Sequence, residues 1–416
     1  MSKSVERAFV IAWALGCFFY FIEYFIRSSP AVMIGPLAAR LNATPLVVSG
    51  ILGAYYYTYS VTSLIAGVTL DRAGAKYPIP IGIGILALGC ILFALPSWLP
   101  EEVGRLFQGA GSAFAFTGCV YLAAHGFSPR VIATAIGVTQ CLGMLGGSAG
   151  QFVAGPLIHR GVSLWGFWIV CGIICAATAL AMLSVTPREK KSSPPGHFLA
   201  SITGPYKTVF SNPQSWLSGL ISGLLFAPTT IFAMTWGVAF FQQDLQFSYE
   251  KAVLVCSLVP GGWVVGCPLL GWLSDRWGLR KPALNGGIVA MFVSFAALVF
   301  GYEVVPPALS AFLFGVASGA AMIPYTIIKE ANPDNVKGSA TGGINFVTFG
   351  VTAIIGPLFA SMYGKTLAGA TDHEGHFRGA GIFFLVAMAV ALGIGLIVRE
   401  TGHKKKVEFA PVRVQS

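Results

Sequence analysis

Charge is what this sequence has least of. Asp, Glu, Lys and Arg make up 10% of its 416 residues, whereas 55% are hydrophobic, and the mean hydropathy is +0.74. No water-soluble domain of this length needs so much apolar material for its core, so the chain belongs in lipid. The net charge of +10 raises nucleic acid as a partner. That reading fails, because the basic residues are not gathered on one face with aromatics between them; they punctuate apolar stretches long enough to span a bilayer. All eight cysteines lie inside those stretches, which argues against disulfides and zinc and leaves small packing residues. A cleavable leader is missing too: the first apolar segment is long, holds Glu23 and Arg27, and lacks a small-x-small site at its end. No nucleophile, base and metal set converges anywhere, so neither an enzyme nor a cofactor is expected.

Two short motifs imitate chemistry. Gly146-Gly-Ser148-Ala-Gly150 fits the Gly-x-Ser-x-Gly pattern of serine hydrolases, but it lies inside an apolar run, where Gly-x-x-x-Gly helix packing explains it. Asp372-His373-Glu374-Gly-His376 has the look of a metal clip, yet a solvated outer loop accounts for it.

Runs of about 20 apolar residues predict twelve spans. They fall near 8–38, 46–70, 77–95, 103–125, 131–158 and 162–186, then 214–243, 250–274, 281–300, 305–328, 336–363 and 378–399. The expected division is a six-helix bundle at 1–187, a linker at 188–213, a second bundle at 214–402 and a tail at 403–416. The linker is polar and proline-rich, with a weakly amphipathic piece from Phe198 to Phe210 expected to lie on the membrane surface. With both termini cytoplasmic, nineteen basic residues fall inside and five outside (Arg40, Arg160, Lys251, Lys365 and Arg378). That positive-inside bias agrees with an even number of spans.

The halves also repeat in detail. Gly67-Val-Thr-Leu-Asp71-Arg72-Ala-Gly74 returns 204 residues later as Gly271-Trp-Leu-Ser-Asp275-Arg276-Trp-Gly278. Each copy joins two spans by a tight loop, where a carboxylate can face a helix terminus and glycines let helices approach. Gly155-Pro156 and Gly356-Pro357 correspond at a spacing of 201 and predict bends in the fifth and eleventh spans. The doubled loop resembles the signature of the major facilitator superfamily over nearly the whole chain. The resemblance implies an all-α membrane protein of twelve transmembrane helices in two pseudo-symmetric six-helix bundles that rock about a central site. It also implies that Gly67, Asp71, Arg72, Gly74, Gly271, Asp275, Arg276 and Gly278 serve as a cytoplasmic gate.

Ionisable groups deep in a span need a reason to be there. Glu23 and Arg27 stand four apart on one helix face and can neutralise each other, which leaves a structural pair or a substrate site open. Arg27 suits an anion because its planar fork binds a carboxylate or phosphate in two places and stays charged. Tyr24-Phe-Ile-Arg27 is similar to the Tyr-x-x-Arg of the superfamily's anion:cation symporter branch. Tyr59, Trp236, Asn345 and the stretch Asn212-Pro-Gln-Ser-Trp216 match that branch locally as well. The branch has an acid just before the arginine and another seven residues after the fourth-span arginine, where this chain has Ile26 and Ser112. Glu23, one turn earlier, is the remaining proton-coupling candidate. Arg105 opens the fourth span in the superfamily's Arg-x-x-x-Gly pattern and is implied in coupling or helix cohesion. Tyr55, Gln140 and Tyr325 join Tyr24, Tyr59, Trp236 and Asn345 as expected pocket residues, with core packing at least an equal reading for Tyr55 and Tyr59 and an interhelical hydrogen bond an equal one for Gln140 and Tyr325.

The expected function is a monomeric, proton-coupled secondary transporter of a small organic anion in the plasma (inner) membrane. An exporter of drugs or of siderophore-like polycarboxylates is a second reading, and a non-transporting receptor or scaffold a third. The intramembrane Glu23 and Arg27 argue against the third.

Overall fold

A computed structural model describes residues 3–127, 132–189, 198–333, 336–364 and 371–402. The expected tail 403–416, residues 190–197 of the expected linker and the side chain of Asp71 lie outside the described residues.

Among these residues every regular element is helical. The first bundle holds α1 (Lys3–Ser28), α2 (Ile34–Leu41), α3 (Pro45–Ala73), α4 (Pro78–Ala94), α5 (Trp98–Gly126), α6 (Ile132–Phe152), α7 (Ala154–His159) and α8 (Leu164–Val185). A connecting helix, α9 (Phe198–Phe210), follows. The second bundle holds α10 (Pro213–Ala227), α11 (Gly237–Gln243), α12 (Tyr249–Trp277), α13 (Arg280–Phe300), α14 (Pro307–Ser318), α15 (Ile323–Ala331), α16 (Lys337–Phe359) and α17 (His373–Ile397). Ten stretches are long and apolar enough to cross a membrane, and α3 with α2 makes an eleventh. Helix α4 is apolar but 17 residues long, roughly 26 Å, slightly under the hydrocarbon thickness. It completes the twelve.

Local chemistry starts these helices. Thr44, Ser163, Asn212, Ser248 and Asp372 cap α3, α8, α10, α12 and α17 with side-chain oxygens that accept backbone N–H groups. Several spans are broken rather than straight. The first turns through a 3-10 segment, Ser29–Val32, and the seventh passes through a π segment, Pro228–Trp236. Such irregular backbone survives at membrane depth only when it is enclosed by protein.

Some expectations change. The first span ends at Val32, not 38, because Met33 leaves the helical region (φ −119°, ψ 1°) and Ile34–Leu41 forms a separate helix turned 110° from α3. The Asp372–His376 stretch is exposed from Asp372 to Gly375, as expected, but it forms the capped first turn of α17 rather than a loop: His373 Nδ1 and His376 Nδ1 lie 3.3 and 2.8 Å from the buried carboxylate of Asp244. Burial pushes the Asp244 carboxyl up, and the two imidazoles oppose that rise. Helix α9 packs one face on protein: Tyr206 is buried and donates to the Leu64 carbonyl at 2.8 Å, while Lys207 and Thr208 are exposed. The bends expected at the Gly-Pro pairs fall between α6 and α7 and at the π segment Ala360–Gly364 after α16.

Close approach between helices comes from other glycines than the repeated loop ones. A Cβ on Gly146 would sit 2.1 Å from the Phe21 carbonyl oxygen, and one on Gly150 2.5 Å from that of Phe25. Helix α1 is thereby pressed onto α6. The two bundles meet along α3 with α16 and α6 with α12, bridged by Ser60 Oγ donating to Phe346 O at 2.7 Å and Ser148 Oγ to Ser257 O at 2.8 Å.

Candidate functional site

Pressing α1 against α6 fixes where its two charges go. Arg27 Nη2 lies 2.5 Å from Glu23 Oε1, and both side chains are 0% exposed. Tyr55 of α3 joins them: its hydroxyl accepts from Arg27 Nε at 3.1 Å and donates to Glu23 Oε1. Four rings enclose the guanidinium carbon, with centroids at 4.2 Å (Tyr24), 4.7 Å (Tyr59), 5.0 Å (Phe349) and 5.1 Å (Tyr55). Cation–π attraction replaces part of the lost hydration. Phe349 comes from α16, so the cage is closed by the opposite bundle. Among the described residues Arg27 Nη1 and Glu23 Oε2 have no hydrogen-bond partner.

A second buried cation stands behind Tyr55. Arg105 donates to Gln108 Oε1 at 2.7 Å and to the Leu52 carbonyl at 3.3 Å, and its guanidinium lies 4.8 Å from the Tyr55 ring. Two guanidiniums thus flank one tyrosine, with one carboxylate between them. The cluster carries a net positive charge.

Beside the cage is a central void of about 10 Å³, close to the space one water needs. Of the expected pocket residues, Tyr24, Tyr59, Gln140, Tyr325 and Asn345 line it. Tyr20, Phe116, Phe226, Met322 and Phe349 line it too and were not anticipated. The spacing of Phe349 four residues after Asn345 was the available signal. Tyr20 OH donates to Gln140 Oε1 at 3.3 Å and Tyr325 OH to Asn345 Oδ1 at 2.5 Å. Gln140 Nε2 and Asn345 Nδ2 are consequently left unpartnered.

Two expectations are corrected here. Arg27, open as a substrate site on sequence grounds, does not line the void: Tyr24, Tyr59 and Phe349, which do, also cover the guanidinium. Trp236 is not in the central site, because the π segment carries it into a separate crevice of about 140 Å³ with Leu46, Tyr56 and Thr352. Tyr55 sits one layer behind the void, as the bridge between Glu23 and Arg27.

A larger cavity of about 290 Å³ lies between α6, α12 and α15 and shares Phe116, Gln140, Met322 and Tyr325 with the central void. The rings of Phe116 and Tyr325 meet edge to face at 6.3 Å and form the partition. This cavity reaches the second copy of the repeated loop, Gly271, Ser274 and Asp275.

The loop residues differ from one another in packing and conformation. Gly74 and Gly278 terminate α3 and α12 with φ of 71° and 64°, while a Cβ on Gly271 would meet nothing within 4 Å and one on Gly67 only ordinary contacts at 3.8 Å. Close approach is therefore not the role of Gly67 and Gly271. Arg72 ends α3 half-buried, and exposed Arg276 lies over the Trp272 ring. Asp275 pairs with Arg280 at 2.5 Å, and Arg280 holds Glu330 at 2.8 Å. Glu400 accepts the backbone N–H groups of Arg280 and Lys281 at 2.7 and 3.0 Å. Burial of Glu400 opposes ionisation, but its backbone N–H donors outweigh that and hold the carboxyl below its ordinary value. The first bundle has a counterpart in Glu189, which accepts from Tyr121 OH at 2.7 Å and lies against Gly74. Sequence reasoning missed this pair, although Arg188-Glu189 and Arg399-Glu400 are the same dipeptide after the last helix of each half.

Comparison with known proteins agrees on one family. The family model of the Major Facilitator Superfamily matches residues 16–357 and 271–414. A probable hexose phosphate transport protein of Chlamydia trachomatis serovar D is 25% identical over 62% of this chain, and the chain spans 62% of that relative's length. The hexuronate transporter of Bacillus subtilis is 24% identical over 91% of this chain and 90% of its own. The citrate-proton symporter of Klebsiella pneumoniae is 24% identical over 76% and 74%. Further matches include drug efflux proteins. The inward-facing, unoccupied structure of a bacterial homolog of the human lysosomal transporter Spinster superposes with a TM-score of 0.73 at 14% identity, covering 94% of this chain and 97% of that one.

Proposed function

We propose, from the premise that this chain belongs to the Major Facilitator Superfamily, that it is a secondary transporter of a small organic anion, coupled to protons. One observation carries the reading: among the described residues two buried donors, Gln140 Nε2 and Asn345 Nδ2, are unpartnered in the lining of a central void, and a third, Arg27 Nη1, lies behind the rings that wall it, in a cluster of net positive charge. Unmade donors in a low-dielectric site are costly, and an oxygen-rich anion would satisfy all three. Hexuronates, hexose phosphates and citrate, named for the relatives, have that chemistry.

The sealed cage sets the mechanism. Arg27 can take a substrate carboxylate or phosphate only after α16 withdraws Phe349, so anion access requires the two bundles to part. An anion on Arg27 competes with Glu23 for the same guanidinium. Glu23, released, takes a proton, with the Tyr55 hydroxyl following whichever partner remains. The Asp275–Arg280–Glu330 network and the Glu189 cluster brace the end of each bundle on the face we assign to the cytoplasm, where with Asp71, Arg72 and Arg276 they would meet when the bundles close that face. The bundles at 1–187 and 214–402, a plasma-membrane location, cytoplasmic termini and a monomeric state complete the proposal.

Counterflow of labelled glucuronate, citrate and glucose 6-phosphate in proteoliposomes tests it. The wild type should exchange at least one of them and Arg27→Gln none. Glu23→Gln should keep exchange but lose accumulation driven by a proton gradient. The aromatic lining of the void favours a second reading, export of a planar drug. Exchange of none of the three anions, with pumping of an aromatic cation, would replace the first reading by the second.

A further inference from the structure

The inner cavity holds a charge that the central site does not use. Lys329 lines it, half-buried, with Tyr325, Thr326, Gln140 and Ser274. Asp275 on the cavity wall and Glu330, next to Lys329 in sequence, are both held by Arg280. Among the described residues no hydrogen-bond or ion-pair partner is found for the Lys329 ammonium. Counted over the lining, Arg280 and Asp275 cancel and Lys329 leaves the cavity positive.

A lysine near a span end ordinarily extends toward lipid headgroups or bulk water. Here it faces a space walled by α6 of one bundle and by α12 and α15 of the other. Tyr325 and Lys329 are four residues apart on α15, on one face, and about 6 Å apart along the axis. Gln140 Nε2, an unpartnered donor in a side chain 4% exposed, lies on the facing wall. A small carboxylate or phosphate could therefore touch the amide and tyrosine at one end and the ammonium at the other.

We propose that this cavity is a second, inward-side anion subsite anchored by Lys329. It rests on the anion-transport reading above and extends it. The same class of ligand leaves Arg27, passes the Phe116–Tyr325 partition and is held once more before entering the inner solution. Because the walls belong to both bundles, the subsite exists only while the inner side is open.

Cys267, half-buried in the same cavity, provides a reporter that needs no knowledge of the substrate. In proteoliposomes of the full chain, its labelling by an anionic and by a cationic methanethiosulfonate is followed at the Cys267 peptide by mass spectrometry. The anionic-to-cationic rate ratio should fall about fivefold in Lys329→Gln and be restored in Lys329→Arg. An unchanged ratio, or a wild-type Cys267 that reacts with neither reagent, overturns the subsite. Glucuronate, citrate or glucose 6-phosphate should slow labelling in the wild type and in Arg27→Gln but not in Lys329→Gln. Protection by none of the three, or protection lost in Arg27→Gln and kept in Lys329→Gln, also overturns it. Lys329-dependent protection in a protein that transports none of these anions would leave the subsite standing and remove the transport reading.

Discussion

The Glu23–Arg27 pair was legible because an acid and a base four apart in an apolar run have few other uses. Its enclosure was not, since Phe349 arrives from more than 300 positions away. Removing one member of a buried pair leaves the other uncompensated, at a cost of about 3–5 kcal/mol. We therefore expect Arg27→Gln to lower the thermal midpoint in detergent more than the double change Glu23→Gln with Arg27→Gln. Equal midpoints would mean that Glu23 finds another partner. Phe349 is expected to act as the lid of the cage. Phe349→Ala should leave counterflow active while reducing gradient-driven accumulation, because a site that cannot be sealed leaks; undiminished accumulation would free Phe349 from that role.

Helix ends and contacts carry the next set of expectations. The two loop copies look alike in sequence, yet Gly74 (φ 71°, ψ −174°) and Gly278 (φ 64°, ψ 22°) occupy different regions. The first region is open essentially to glycine alone, whereas the second tolerates asparagine. Gly278→Asn should keep the wild-type stability within about 1 kcal/mol and Gly74→Asn should lose more, as read by thermal unfolding and transport rate. On α6, Gly146→Ala should displace α1 and depress transport, while Gly84→Ala, with nothing within 4 Å of its new methyl, should be neutral or gain up to about 1 kcal/mol in helix propensity. The Glu400 carboxyl is held below its unfolded value, so its contribution is present above the ordinary carboxyl range and is lost as pH falls through the folded value. Acidification should lower the wild-type midpoint more than that of Glu400→Gln; parallel curves would show that the α13–α17 clamp does not depend on this charge.

For the whole molecule, the proposed alternation requires α3 and α16 to separate. A Cβ on Gly350 would lie 3.5 Å from Ser60 Oγ, within reach of a disulfide. Ser60→Cys with Gly350→Cys, once oxidised, should stop counterflow, and reduction should restore it. Full activity in the bridged protein would locate the alternation elsewhere. The linear chain specified twelve spans, a duplicated half and a charged first helix, because bilayer thickness, loop chemistry and the expense of buried charge act on neighbouring residues. It could not specify that Trp236 turns into a side crevice, that Arg280, Glu330 and Glu400 converge on one loop, or that Lys329 faces the inner cavity. Those facts depend on helix rotation and on the break in the seventh span, which are set by packing between residues hundreds of positions apart.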